Sequence, residues 1–228
     1  ATDRQAYAQE LAGFLPARIF DAHVHLFDRS CLASAAPFPP KSCYRKFGGV
    51  FTLEQYLAWT QAMMPQQEFH LNSFGHPGHE SSLDASAGYS GGISDHRRFY
   101  GMALISPRDS SEAVIRRIEA NKLIGFKPYP SLVDGKKANA ITIQDMLPAE
   151  HMRIADEKGL VVTLHIPRPG RLADPVNQSQ MVELCRCYPR ARIIFAHIGR
   201  AYFLSNAIGF LDGIAACDNA YIDTAMVN

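Results

Sequence analysis

The sequence predicts a parallel α/β barrel of the TIM, (β/α)8, type, and three observations predict it. Strand-like and helix-like segments take turns along the 228 residues. Several strand segments are unbroken apolar runs, the pattern of strands buried on both faces under a cover of helices. No G-x-G-x-x-G follows the first strand, which weakens the alternative of an open dinucleotide-binding sheet.

The elements read in order as follows. Residues 5–15 suggest a short amphipathic helix ending before Pro16, and residues 18–26 the opening strand. Residues 28–50 are rich in Pro and Cys and carry no clear period; barrel logic puts them on the active-site rim as a cap. Thr52 opens a helix with a capping-box pattern, Thr52 followed by Gln55. "EFHLNSF" is the second strand, and the Gly- and Ser-rich residues 75–96 read as loop. "FYGMALISP" is the third strand, "SSEAVIRRIEANK" a helix, and "LIGFKPYP" the fourth strand. A helix over 144–158 stops at Gly159. "LVVTLHIPR", a helix over 176–187, "ARIIFAHIGR", a helical stretch over 203–217 and "AYIDTAMV" complete the pattern. Seven strands are legible, one βα unit short of a full barrel. The eighth strand therefore lies in a misread segment or beyond Asn228.

Composition bounds the function. The chain is 47% apolar, enough for one globular domain over residues 1–228. Its formal charge of +1, without a basic stripe, argues against nucleic acid. No apolar run approaches the roughly 18 residues of a membrane span. Five cysteines, odd in number and without a C-x-x-C pair, fit reduced thiols in a cytoplasmic protein.

The polar residues inside apolar strands carry the chemistry. His23 and His25, two apart on a strand, point to one side. His165 and His197 lie near the C-terminal ends of the fifth and sixth strands, and Lys127 at the end of the fourth. A parallel barrel brings all these ends to one rim. Imidazoles gathered there suit a borderline divalent ion such as zinc.

On the residues "DAHVHL", "GFKPYP", "TLHIPR", "FAHIGR" and "YIDTA", the chain resembles the amidohydrolase superfamily over nearly its whole length. The branch it resembles contains aminocarboxymuconate-semialdehyde decarboxylase and related metal-dependent hydrolases. The resemblance implies His23, His25 and His165 as metal ligands. It implies His197 as a catalytic histidine, or as a ligand to a second metal. It also implies an aspartate from an eighth strand, which no residue here supplies; Asp223, on the seventh, reads first as a structural or rim carboxylate.

Further residues are substrate-binding candidates. Lys127 and Tyr129 flank the fourth strand's end; Lys127 reads first as a plain lysine contacting an anion or a carboxylate, then as a structural residue, then as a carbamate. Arg168 and Arg200 follow the fifth and sixth strands and suit a substrate carboxylate. His76 lies just past the second strand. Asp21 is expected to bond backbone or orient a ligand.

The expected function is a metal-dependent hydrolase acting on a small, carboxylate-bearing ester, lactone or amide through a metal-activated water. Non-oxidative decarboxylation is the alternative, and a catalytically inactive metal-binding barrel the second. Partners reduce to a small-molecule substrate, with no nucleic acid and no membrane; a homo-oligomer is compatible.

Overall fold

In the computed structural model, residues 2–33, 38, 42–46 and 48–226 are described. The strands are β1 (Arg18–His25), β2 (Glu68–Phe74), β3 (Phe99–Gly101), β4 (Ala103–Ile105), β5 (Gly125–Pro128), β6 (Val161–Leu164), β7 (Arg192–Phe195) and β8 (Ala220–Ile222). The helices that cover them are α1 (Thr2–Ala6), α2 (Cys43–Lys46), α3 (Leu53–Met63), α4 (Leu83–Gly92), α5 (Ser111–Ala120), α6 (Ile143–Met146), α7 (Ala149–Lys158) and α8 (Pro175–Cys187).

All strand pairings are parallel, in the order β1-β2-β3 and β4-β5-β6-β7-β8. Strands β3 and β4 are one strand interrupted at Met102, whose N–H still donates to the Ser73 carbonyl at 2.8 Å. The sheet thus has the seven positions read from the sequence. Among the described residues no ladder joins β8 back to β1. A groove of about 390 Å³ separates these two, lined by residues that include Phe20, His23, Ile222 and Asp223.

Local chemistry explains the helix boundaries. The Thr52 hydroxyl accepts from the Gln55 amide and the Gln55 side chain returns the bond, so the expected capping box closes α3. Asp174 caps α8 with Pro175 in its first turn, and Gly159 ends α7 in the left-handed region at φ 63°.

Four expectations need correction. Residues 75–96 are not all loop, because Ser82 caps the ten-residue α4. Its small residues reflect tight packing on the sheet: a Cβ at Gly101 would stand 2.5 Å from the Ser90 carbonyl oxygen. The helix over 144–158 is two helices, since Pro148 breaks the run and holds Leu147 out of helical geometry. Residues 203–217 give only a 3-10 turn at Leu204–Asn206 and one helical turn at Asp212–Ala215, with Gly209 at φ 78° between them. Residues 5–15 yield α1 and a π-helical turn, Tyr7–Leu11, rather than one amphipathic helix.

Residues 34–37, 39–41 and 47 of the expected cap lie outside the described residues. The ends of the 28–50 segment are stapled by reciprocal backbone bonds between Phe27 and Phe51, at 2.9 and 3.0 Å. Buried Phe27 and Phe38 pack together there beside Tyr44. No helix among the described residues is long and apolar enough to cross a membrane.

Candidate functional site

The parallel sheet delivers the C-terminal ends of its strands to one place, and four imidazoles meet there. Ring centroids lie 4.7 Å apart for His23 and His197, 4.8 Å for His165 and His197, 5.5 Å for His23 and His25, and 6.0 Å for His23 and His165. His165 is 7% exposed and His197 2%.

Strand β1 presents its two histidines through a bulge. The register pairs Asp21 with Leu71 but Val24 with Ser73, so three steps on β1 match two on β2. Asp21 therefore shares the face of Leu71, which packs in the cluster containing Tyr56 and Phe69. His25 pairs with Phe74 and shares that residue's face. Asp21 accepts from the His23 amide at 3.1 Å and from the Tyr56 hydroxyl at 3.0 Å. This matches its expected role in orienting a neighbour; burial raises its carboxyl pKa against those two bonds.

Three of the four rings can be assigned from the partner of Nδ1. His25 Nδ1 lies 2.8 Å from the Gly75 carbonyl and His197 Nδ1 2.6 Å from the Ala225 carbonyl. A carbonyl only accepts, so both Nδ1 atoms carry hydrogen. His23 Nδ1 lies 2.8 Å from Asp223 Oδ2 and donates likewise. Burial, followed by the nearby Lys127 charge, lowers the His23 pKa to about 4. The same two causes in the same order hold His25 and His165 well below the ordinary histidine value. Burial also lowers His197. Neutral rings that donate at Nδ1 keep a lone pair at Nε2, and this applies to His23, His25 and His197.

Those lone pairs face a small region. Lys127 Nζ stands 2.6 Å from His23 Nε2 and 3.3 Å from His25 Nε2, and 3.6 Å above the Phe74 ring. Lys127 is fully buried, and burial holds its pKa well below the ordinary lysine value. The amine has a hydrogen to offer each imidazole in either protonation state. Among the described residues no carboxylate pairs with Lys127, the partner expected as one option for it. On the other side, His197 Nε2 and His165 Nε2 lie 3.0 Å apart, and His165 Nδ1 is buried without a hydrogen-bond partner.

This donor set fits a divalent cation. Two nitrogens on one tetrahedral zinc, at about 2.0–2.1 Å from the ion, stand roughly 3.4 Å apart, comparable to the His165–His197 separation of 3.0 Å. Bare Nε2 atoms with Nδ1 anchored to carbonyl or carboxylate are the arrangement metal-binding histidines adopt. An ion bonded to His23 and His25 takes the two lone pairs that Lys127 now uses, so the amine must yield. Among the described residues, the set of three with ligand atoms within 4.8 Å of one another is His23, His197 and Asp223; His25 and His165 lie outside that set. In both of its histidines Nε2 is the nitrogen not held by a carbonyl or carboxylate.

The other expected site residues fall as follows. Tyr129 packs against His165 with centroids 4.5 Å apart, so it adjoins the cluster. Arg200 Nη1 donates to the Ile166 carbonyl at 3.0 Å, bridging the segments after β6 and β7. Arg168 Nε is bonded to Asp174 at 2.9 Å, so its charge is satisfied by the cap of α8. His76 bonds Glu80 at 3.0 Å and sits among the rings of Phe27, Phe38 and Tyr44 rather than in the histidine cluster. Beside His23 and His25 lies a pocket of about 330 Å³ whose walls include Tyr44, Phe51, Tyr56, Trp59 and Met63.

His197 is not on a strand. It begins four consecutive residues, His197 to Arg200, with φ of 58°, 51°, 61° and 58°. Left-handed backbone costs L-residues about 1–2 kcal/mol each, and only Gly199 escapes that cost. The sequence showed nothing of this turn. Asp223, read from the sequence first as a structural or rim carboxylate, is 7% exposed and bonds two of the four histidines. The signal was present in "YIDTA", a carboxylate at the end of an apolar strand. The Gly75 and Ala225 carbonyls are backbone acceptors and leave no trace in residue identity.

Comparison with known proteins finds structures but no sequence relatives. No family model matches, and no curated protein matches. An uncharacterised TIM-barrel protein from Bordetella bronchiseptica superposes with TM-score 0.57 at 10% identity, over 92% of this chain and 77% of that one. An amidohydrolase from Burkholderia multivorans gives 0.60 at 15% identity, over 90% and 69%. A 2,6-dihydroxybenzoate decarboxylase gives 0.52 at 14% identity, over 92% and 81%. At such identities the likeness is one of fold. The chain has the TIM-barrel fold, and its structural neighbours include members of the superfamily that the sequence resembles.

Proposed function

We propose that this chain is a metal-dependent hydrolase of the amidohydrolase type, acting on a small ester, lactone or amide that carries a carboxylate. The observation behind this reading is the convergence of four imidazoles, of which His23, His25 and His197 hold Nδ1 against a carbonyl or carboxylate and leave Nε2 bare. His23, His25 and His165 would hold one divalent ion, with zinc the choice by donor chemistry. When bound, the ion supplies an acidified water and a Lewis acid for a carbonyl.

The chain's own residues do the rest. His197, anchored by the Ala225 carbonyl, keeps Nε2 available to accept a proton in the buried cluster and return it to a leaving group. Its lowered pKa favours the neutral, proton-accepting form near pH 7. Lys127, once displaced from His23 and His25, can meet the substrate carboxylate. Tyr129 fills the wall beside His165. The aromatic pocket next to β1 accepts the apolar part of the substrate and excludes water from it.

Decarboxylation is the second reading. One structural neighbour is a 2,6-dihydroxybenzoate decarboxylase, and a buried lysine beside bare imidazoles would also suit a substrate carboxylate. Elemental analysis tests the shared premise. Purified protein should carry about one divalent ion per chain, and His23→Ala with His25→Ala should remove it. Full metal retention in the double variant contradicts the ligand assignment. His197→Ala should lower turnover far more than metal content; loss of the metal instead makes His197 a ligand.

A further inference from the structure

We propose that Asp223 is the positioning residue of this site: it sets the tautomer of His23 and clamps the left-handed turn that presents His197. The carboxylate directly follows β8 and is almost wholly buried. Its two oxygens serve two different parts of the barrel. Oδ2 accepts from His23 Nδ1 at 2.8 Å, across the groove between β8 and β1. Oδ1 accepts from the backbone N–H of His197 at 2.8 Å and from that of Ala225 at 3.2 Å. The carbonyl of the same residue accepts from the Ile198 N–H at 2.8 Å. Asp223 thus bonds the first two amides of the left-handed turn, and a costly conformation persists only where its surroundings hold it.

The bond to His23 has a chemical consequence. A carboxylate can only accept, so His23 must carry its hydrogen on Nδ1 and leave Nε2 bare. That bare atom points to Lys127 Nζ, 2.6 Å away. Without Asp223 only the Lys127 amine would still bear on the choice, and an amine that has lost its proton can accept as well as donate, so the other tautomer, which turns an N–H toward Lys127, becomes open. The bonds of Asp223 make it the residue that holds His23 and the turn of His197 in mutual register. Oδ2 keeps a second lone pair, so this role stands whether or not the carboxylate also meets an ion. What it does for a metal rests on the proposed function; the tautomer itself does not.

Two variants of the full chain test the assignment. In metal-free protein, long-range ¹H–¹⁵N spectra of the histidine rings should show His23 protonated at Nδ1. In Asp223→Asn the side-chain oxygen can still serve the His197 amide, which turns the NH2 group toward His23 Nδ1. His23 should then switch to the Nε2–H form, while His25, held by Gly75, stays unchanged. Affinity for zinc, read by chelator competition, should fall by about 10–100-fold. Asp223→Ala removes both acceptors, and the His197 amide should exchange with solvent at least tenfold faster. Nε2–H in wild-type His23 overturns the proposal even if neither variant folds. So does an unswitched His23 in folded Asp223→Asn, or an unchanged His197 amide in folded Asp223→Ala. If the tautomer switches but wild-type protein binds no divalent ion, the positioning role stands and the metal reading fails.

Discussion

The middle strands and the two outer strands of this sheet contribute differently. Strand β5 is buried at every residue, and so is β4. Their side chains join one continuous cluster that reaches from Ala103 through Phe126, Val162 and Ile193 to Ile214. Strands β1 and β8 are the outer ones, and they leave Phe20 53%, Tyr221 49% and Ile222 44% exposed. Stability is concentrated in the middle, whereas the site draws on both. Lys127 and His165 come from middle strands or their ends, and His23, His25 and Asp223 from the outer ones. The histidine–carboxylate bond between the outer strands ties the loosely packed elements to the site. A barrel can therefore keep a rigid centre while the geometry of its reactive groups depends on a few polar contacts at its periphery.

The contrast can be broken first by truncation. Phe126→Ala in β5 should cost about 3–5 kcal/mol, as for other fully buried aromatic side chains. Ile222→Ala in β8 should cost under about 1 kcal/mol, since much of that side chain already meets solvent. Urea unfolding of the two variants measures both, and equal losses would erase the distinction between middle and edge.

Acid should act on the site from both sets of strands. The folded pKa values of His23, His25, His165 and His197 all lie below the unfolded value of 6.5. The unfolded chain therefore binds protons first as pH falls. Stability is full above pH 6.5 and declines below it, for His23 down to about pH 4, where its share reaches about 3 kcal/mol. Asp223 is raised by burial but lowered more by its bonds with His23 and the His197 amide. Its contribution, present above the unfolded value of 3.8, is lost as pH falls through its lower folded value. Unfolding free energies at pH 7 and pH 5 should differ in this direction; a flat profile would mean that these rings are not buried neutral.

The smallest expected effect sharpens the comparison on the helix layer next to β1. Thr52→Ala removes the cap of α3 and should cost about 1 kcal/mol. Metal content should be unchanged, because the bonds by which Tyr56 and Asp21 link α3 to His23 do not involve Thr52. Thermal melts with parallel metal analysis would detect a departure.

Much of this fold was legible because its strands are short apolar runs bounded by turn residues, and the seven positions read are those found among the described residues once β3 and β4 are taken as one interrupted strand. The four histidines were legible for a related reason: a titratable ring inside an apolar run needs a partner. The helix at Leu83–Gly92 was missed because Ser86, Ala87 and Ser90 obey close packing, which in composition looks like loop. Arg168 was read as available to substrate, but nothing in its position after β6 reveals the nearby Asp174. Lys127 was read with a carboxylate or an anion in mind; its actual partners are imidazoles from a strand some hundred residues earlier. Pairings that depend on tertiary approach, and acceptors belonging to the main chain, leave little mark on residue type.

The extra residue in β1 bears on any transplant of this chemistry. A designer who copied D-A-H-V-H onto a regular strand would bring the aspartate to the same side as the rings, adding a negative charge to the cluster. The portable unit is the five-residue D-A-H-V-H together with its irregular pairing, and a host strand must have room for that surplus step before it can display the two imidazoles alone.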